Sequence, residues 1–202
     1  MLIGVMSDTH GNLNYMQRAA YLMVYEFGVE AIIHLGDDYA DAIKMDTHGR
    51  VLFAVPGMFE KAWNDKNIPH RLIKEFGGIV FMLSHTPARD KHDKGGDINP
   101  ARALSDYGAD VLLHGHTHIH RLIGSEDGLI LICPGQLKAE KDRGFPAGFA
   151  IIDAKRPNLY VRFVDLYGKV LEEQHARVKH ADEFDAMDET IKEEISSDET
   201  SV

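Results

Sequence analysis

The sequence predicts an α/β fold in which two mixed β-sheets pack face to face, with helices on the outside. Three observations lead to this prediction. In the first part of the 202-residue chain, apolar runs of strand length alternate with a segment of helical periodicity, which is typical of parallel strands joined by crossovers. Beyond residue 118, apolar runs follow one another directly, separated by turns, as in a mostly β region. Apolar residues make up 44% of the chain, enough to bury a substantial core.

Each predicted element follows from the spacing of its apolar residues. Over residues 13–27 they recur three or four apart, which indicates an amphipathic helix, and Asn12 and Gly28 suit its two ends. Residues 70–76 and 79–83 flank Gly77-Gly78 and are expected to form a hairpin. A proline near its start marks a short helix over residues 100–107. The other apolar runs are predicted strands, at residues 2–6, 31–35, 51–55, 111–114, 119–123, 129–133, 148–153 and 159–166.

Residues that can bind a metal follow four of these strands. Parallel strands joined by right-handed crossovers end at the same edge of a sheet, so we expect these side chains to lie together. His116 and His118 are two residues apart and would point to one face of an extended backbone, while Gly115 lets that backbone approach closely. The six candidates are Asp8, His10, Asp37, His85, His116 and His118.

Composition narrows the class of protein. We expect one domain at residues 1–180, followed by an acidic helix or tail at residues 181–202. The formal net charge of -10 argues against strong binding to nucleic acids or anionic membranes. No apolar run approaches the ~18 residues of a membrane span, and the first residues lack the features of a signal peptide. Together with a single cysteine, Cys133, these features predict a cytoplasmic protein.

The ligand types indicate the metals and the chemistry. Mixed imidazole and carboxylate ligands suit manganese, iron, zinc or nickel, and argue against calcium. Six such side chains exceed the needs of one tetrahedral ion, so we expect two divalent or mixed-valence transition metal ions that share a carboxylate. Such a pair activates a hydroxide for attack on phosphorus.

The ordered motifs resemble those of the calcineurin-like metallophosphoesterases, and the match is nearest to their small prokaryotic phosphodiesterase branch. The resemblance covers about residues 1–166 and implies the two-sheet metallophosphoesterase fold and a phosphodiester small-molecule substrate. It also implies that one metal is bound by Asp8, His10, Asp37 and His118, and the other by Asp37, His85 and His116. Among these, Asp37, His85 and His116 are the expected catalytic residues. The motifs are Asp8-Thr9-His10, Gly36-Asp37, Ser84-His85 and Gly115-His116-Thr117-His118, with Cys133-Pro134-Gly135-Gln136 similar to a further family motif.

One motif departs from the family pattern. Where the family has an asparagine that binds the second metal, this chain has Met58, and Phe59 stands where some relatives have a histidine near the leaving group. Three interpretations are open: water fills the vacant position, Glu60 or Asn64 replaces the ligand, or the fold serves as an interaction surface, as in the retromer scaffold subunit. A mononuclear hydrolase that uses Asp8, His10, Asp37 and His118 is a further hypothesis.

Several other residues have two interpretations. Asp38 and Asp41 either support a ligand or are solvated loop acids, and Asn12 either orients phosphate or caps its helix. His34 is expected to be a core histidine, and His114 to face the same side as His116.

The basic loop at residues 88–99 is either a lid that contacts phosphate or a solvated connector. The sequence leaves open whether the chain forms a homo-oligomer.

Overall fold

The computed structural model describes residues 1–124 and 128–178 and confirms the predicted α/β class. The acidic segment expected to be a helix or tail, residues 181–202, lies outside the described residues. In chain order the elements are β1 (Leu2–Met6), α1 (Leu13–Tyr25), β2 (Ala31–His34), α2 (Tyr39–Ala42), β3 (Val51–Ala54), a 3-10 helix (Lys61–Asn64), β4 (Arg71–Phe76), β5 (Ile79–Ser84), a 3-10 helix (Pro100–Arg102), α3 (Ala103–Tyr107), β6 (Val111–His114), β7 (Arg121–Gly124), β8 (Ile130–Cys133), β9 (Lys141–Asp142), β10 (Phe145–Pro146), β11 (Gly148–Lys155), β12 (Asn158–Asp165) and β13 (Val170–Arg177).

Two mixed sheets form the molecule. The first has the strand order β13-β12-β11-β1-β2-β3, in which β1, β2 and β3 are parallel and the others antiparallel. The second has the order β4-β5-β6-β8-β7, in which β5, β6 and β8 are parallel. The parallel strands of each sheet end in register: Met6 pairs with His34, and Ser84 pairs with His114. Their carboxyl ends therefore form one edge in each sheet, as predicted.

The core lies between the sheets because strand alternation sends every second residue inward. Ile3 and Val5 of β1 and Phe81 and Leu83 of β5 belong to this one buried cluster. On the outer face of the first sheet, Met16, Met23 and other apolar residues of α1 pack in a second cluster. A smaller cluster under α3 covers the second sheet. The longest described helix, α1, has 13 residues, and no described helix is long and apolar enough to cross a membrane.

The structure contains strands that the apolar pattern did not predict. β13 alternates exposed and half-buried residues and has a polar sequence, so it gave no apolar run. β9 and β10 are two residues long and, among the described strands, pair only with each other. The strand expected from residue 119 begins at Arg121, because residues 115–120 form an irregular turn.

Candidate metal centre

The backbone at the predicted site is unusual. Five of the six predicted ligands have a positive φ: 57° at Asp8, 47° at His10, 48° at Asp37, 65° at His116 and 62° at His118. This left-handed region is uncommon for residues with a side chain, and such conformations cluster at functional sites. The expectation of an extended backbone through His116 and His118 is therefore wrong. Because both residues are left-handed, their rings are directed to different neighbours.

One group of potential ligands comprises Asp8, His10 and His118. One ligand atom from each lies within 4.8 Å of the others. His118 Nε2 is 3.2 Å from Asp8 Oδ1 and 3.3 Å from His10 Nε2. Asp8 is completely buried, and both its oxygens accept the backbone N–H of His116 at 3.1 Å.

A second group shares Asp8 and adds Asp37 and His85. His85 Nε2 is 3.4 Å from Asp37 Oδ2, which is also 3.7 Å from His10 Nε2, so Asp37 lies between the two groups. The His116 ring packs against the His85 ring with their centroids 5.2 Å apart, but His116 belongs to neither group of mutually close ligand atoms. The structure thus brings together all six predicted site residues, with His116 at the periphery.

The charges in the site are strongly coupled. Burial alone would raise the pKa of Asp37, but His85, His10 and His116 together hold it below its ordinary value. Burial opposes protonation of His85, yet the neighbouring Asp37 and Asp8 raise its pKa. The pKa of His118 is raised by its contact with Asp8 and, against the effect of burial, by Asp142. Burial and the adjacent His85 lower the pKa of His116.

The residues fit a bound cation. Among the described residues, the buried His85 Nε2 has no hydrogen-bond partner, although it faces Asp37. Its other ring nitrogen, Nδ1, is 2.7 Å from the carbonyl of Leu35 and donates to it, so in the neutral imidazole, the form that binds a metal, Nε2 presents a lone pair to the site. Nitrogen lone pairs beside carboxylates are the donor set that borderline divalent metals prefer.

The motif that differs from the family pattern, residues 57–60, begins beside Asp37. A Cβ at Gly57 would collide with the Asp37 carboxylate, so glycine is required for this approach. Met58 is buried, with 7% exposure. Glu60 accepts backbone N–H groups with both carboxylate oxygens, one from Gly57 and one from Tyr39. Glu60 therefore closes this loop with both of its carboxylate oxygens, and Asn64 is exposed on a 3-10 helix.

The loop at residues 88–99 is fastened to the body of the protein. Arg71 of β4 forms a completely buried ion pair with Asp93, and its guanidinium also donates to the carbonyl of Ile98. Asp97 contacts His70 at 2.8 Å. At the loop's outer side, His92 packs against Phe59, which is 76% exposed. Buried contacts therefore anchor this loop, which distinguishes it from a solvated connector.

Two residues around the first motif have clear structural roles. Asp41, which the sequence left as a possible solvated acid, is buried and accepts from the Thr9 hydroxyl at 2.9 Å and from the Gly11 N–H at 2.8 Å. It therefore holds the turn that carries Asp8 and His10. Asn12 caps α1, because its side chain accepts from the N–H of Tyr15, as predicted.

His34, His114 and Cys133 are buried residues close to the site. Burial lowers the pKa of His34 and of His114 to about 4, which leaves both neutral at pH 7. The prediction that His34 is a core histidine is confirmed by its complete burial. Cys133 is buried and accepts from the Thr117 hydroxyl at 3.2 Å, and burial raises the pKa of its thiol to about 11. Cys133 is therefore poorly suited to act as a nucleophile.

Sequence reasoning missed Asp142, whose carboxylate makes a short contact with His118 Nδ1. The two residues are 24 positions apart, and Asp142 lies on the unpredicted strand β9. No local pattern marks it. Only its position in the first residues after the Pro134-Gly135 motif could have suggested that it lies near the site.

Comparison with known proteins identifies the family of the chain. The calcineurin-like phosphoesterase superfamily domain matches residues 1–156. Among solved structures, a predicted phosphoesterase from Streptococcus pneumoniae is 18% identical over 87% of this chain and 97% of its own, with a TM-score of 0.65. An archaeal phosphodiesterase is 20% identical over 87% and 100%, with a TM-score of 0.59. Vps29 from Entamoeba histolytica, in complex with Zn²⁺, is 17% identical over 88% and 99%, with a TM-score of 0.59.

These structural similarities, at 17 to 20% identity, show the shared fold. No curated protein matches the sequence significantly. The superfamily match extends over most of the described chain, from β1 to the end of β11. The chain therefore belongs to the calcineurin-like phosphoesterase superfamily.

Proposed function

We propose that this chain is a metal-dependent phosphodiesterase with its active centre at the carboxyl edge of the two sheets. The observation that carries the proposal is the buried Asp8 shared by two ligand groups, one with His10 and His118 and one with Asp37 and His85. Carboxylates flanked by imidazoles on both sides suit two neighbouring divalent cations. The superfamily match supports phosphoester hydrolysis as the reaction class.

A bound cation would also satisfy the site electrostatically. An unpaired polar atom such as His85 Nε2 costs about 1–3 kcal/mol when it is buried. Manganese, iron, zinc and nickel all suit this donor set, and we propose two such ions, divalent or of mixed valence. When bound, ions of this kind neutralise phosphate charge and lower the pKa of water towards ~7, which generates the nucleophile.

The chain's own residues have separate roles in this proposal. Asp8, which belongs to both groups, and Asp37, which lies between His10 and His85, would be the carboxylates placed between the two ions. His85 and His116, with their rings 5.2 Å apart, would flank the phosphate and hold its charge. Phe59 cannot donate a proton to the leaving group. We therefore expect the fastest turnover with diesters whose leaving group departs as a stable anion.

A second candidate function is an interaction module with little catalysis. The observation that favours it is the pair Met58 and Phe59, which occupies the positions of a metal ligand and a proton donor in the family motif. The likeness in fold to Vps29 is compatible with this alternative. Retention of all six other ligands in one place favours the enzyme.

The two functions can be separated with chelator-treated protein to which manganese is returned. We expect metal to bind and bis(p-nitrophenyl) phosphate to be hydrolysed faster than p-nitrophenyl phosphate. Asp37→Asn should lower turnover by about 100-fold or more, since several kcal/mol of charge stabilisation would be lost. The control, Asp106→Asn, removes an exposed carboxylate of α3 and should leave turnover unchanged.

Folded protein that binds no transition metal and shows no manganese-dependent turnover would overturn the enzyme proposal in favour of the interaction module. Equal turnover by Asp37→Asn and the wild type would exclude this centre as the site of catalysis. Circular dichroism of each variant would establish that it is folded.

We also propose that residues 1–180 form one domain. The support is the core cluster, which contains residues from both sheets and ends with Val178 after β13.

A further inference from the structure

The hairpin formed by β9 and β10 approaches the metal centre from outside both large sheets. Within the described parts of the chain its two strands pair with no other strand; Asp142 pairs with Phe145 and Lys141 with Pro146. Arg143 and Gly144 make the tight turn, with φ values of 48° and 90°. Such a two-residue turn needs both residues at positive φ. An isolated hairpin of this length is not stable alone, so its position depends on contacts with neighbouring segments.

Two of those contacts hold the turn that carries His116 and His118. The Asp142 carboxylate accepts from His118 Nδ1, and Arg143 Nη1 donates to the carbonyl of Thr117 at 3.1 Å. Consecutive hairpin residues thus hold consecutive residues of the histidine turn. At the base of the hairpin, the N–H of Ala147 donates to the carbonyl of Glu140 at 3.0 Å.

The contact from Asp142 determines which nitrogen of His118 faces the metal centre. With Nδ1 protonated and donating to the carboxylate, Nε2 carries the lone pair. That atom lies 3.2 Å from Asp8 Oδ1 and 3.3 Å from His10 Nε2, within the first ligand group. Rotation of the ring, or the other tautomer, would remove the lone pair from the group.

The two ligand groups differ in how their imidazoles are oriented. His85 Nδ1 donates to a neutral carbonyl, that of Leu35, whereas His118 Nδ1 donates to a carboxylate. A carboxylate acceptor makes the ligating imidazole more basic than a carbonyl acceptor does. The imidazole therefore binds the metal more tightly. The second group also lacks an asparagine because Met58 occupies that position.

We propose that Asp142 is a positioning residue that orients His118 and makes the Asp8, His10 and His118 group the tighter of two metal sites. This inference rests on the metal centre of the proposed function. Asp142 acts through His118 and is not itself expected to touch substrate.

Zinc titration of chelator-treated protein by calorimetry tests the inference. We expect Asp142→Ala to weaken the tighter site by about 10- to 100-fold, the range found when the partner of a ligating histidine is removed. Asp142→Asn keeps the shape and an acceptor oxygen, so it should fall between the wild type and Asp142→Ala. Glu140→Gln removes the same charge from an exposed position on the hairpin and should bind zinc as the wild type does.

A second measurement detects orientation without metal. In nitrogen-15 NMR spectra of metal-free protein, recorded at a pH above the pKa of His118 so that its ring is neutral, wild-type His118 should be protonated at Nδ1, whereas Asp142→Ala should show a mixture of tautomers. A role of Asp142 in folding alone would leave the tautomer unchanged. If Asp142→Ala does not fold, zinc affinity and the His118 tautomer are compared between the wild type and the isosteric variant Asp142→Asn.

Three results would distinguish the role of Asp142 from the proposed metal centre itself. Weaker zinc binding in the Asp142 variants with unchanged binding in Glu140→Gln supports the inference. Equal zinc affinity and an unchanged tautomer in Asp142→Ala overturn it while leaving the proposed function intact. Absence of zinc binding by the wild type overturns the proposed metal centre itself.

Discussion

Met58 has a thioether where the candidate ligands around it have carboxylate oxygens and imidazole nitrogens. It follows Gly57, which has no side chain because the Asp37 carboxylate occupies that space. Its thioether is a soft ligand, which manganese and iron bind poorly, so the second group is left with oxygen and nitrogen ligands from Asp8, Asp37 and His85. Its side chain is buried and offers no hard donor.

Met58→Asn should strengthen the weaker metal site, because an amide oxygen is a better ligand for a hard divalent ion. At limiting manganese, we expect stoichiometry to rise from about one towards about two ions per chain, the occupancy of two-metal sites. Elemental analysis after gel filtration measures this ratio. Met58→Leu, which has similar volume but no sulfur or amide, should behave as the wild type. Unchanged stoichiometry and turnover in Met58→Asn would contradict the assignment of this position.

Among the elements, short connections after parallel strands carry the candidate ligands, and hydrogen bonds to buried or half-buried carboxylates hold neighbouring connections in place. Asp41, at the start of the helical turn α2, fixes the turn after β1 through Thr9 and Gly11. Glu60 fixes the loop after β3 through the N–H groups of Gly57 and Tyr39. The first connection thus depends on a carboxylate about 30 residues away in the chain, and the second on a carboxylate of its own loop. The sheet edge brings the ligands near one another, and these contacts orient them.

The loop at residues 88–99 should depend on the ion pair between Arg71 and Asp93, whose side chains are both 1% exposed. Asp93→Asn leaves the Arg71 guanidinium buried without its counter-charge, which costs about 3–5 kcal/mol of unfolding free energy. Denaturant unfolding measures this cost. As a control, Asp106→Asn breaks the exposed pair with Arg102 and should cost less than about 1 kcal/mol. A loss in Asp93→Asn no larger than in this control would show that the buried pair does not anchor the loop.

At the scale of the whole molecule, each sheet buries a neutral histidine at the end of a central parallel strand. His34 ends β2 in the first sheet and His114 ends β6 in the second. Burial lowers the pKa of each to about 4, whereas in the unfolded chain the imidazole pKa is about 6.5. Below pH 6.5 the unfolded chain binds more protons than the folded protein, so acid favours unfolding.

The contribution of these histidines to stability should be complete above pH 6.5 and should decline as the pH falls towards 4. The decline is up to about 3 kcal/mol for each histidine. We expect the wild type to be more stable than His34→Asn in the presence of chelator, and this difference in unfolding free energy should be larger at pH 8 than at pH 4.5. At the lower pH, only the wild type gains a proton at residue 34 on unfolding. Denaturant unfolding at both pH values measures the two differences. A difference independent of pH would contradict this account.

Much of the architecture follows from local sequence patterns. Apolar runs such as residues 31–35 and the helical spacing after Asn12 predicted β2 and α1 with ends within two residues, because buried faces require regular apolar spacing. β13 escaped prediction because its residues 170–177 lie at the sheet edge and are mostly exposed. The tiny strands β9 and β10 have no periodicity to detect.

By itself, the sequence determined the α/β class and the six candidate ligands, since strand periodicity and metal-binding side chains at strand ends are local properties. The tertiary structure decided how those ligands are grouped. It separated His116 from His118 through left-handed backbone at both residues, and it brought Asp142 to His118 across 24 positions. These features depend on how distant segments pack, and a side chain's partner across such a distance leaves no periodic trace in the sequence.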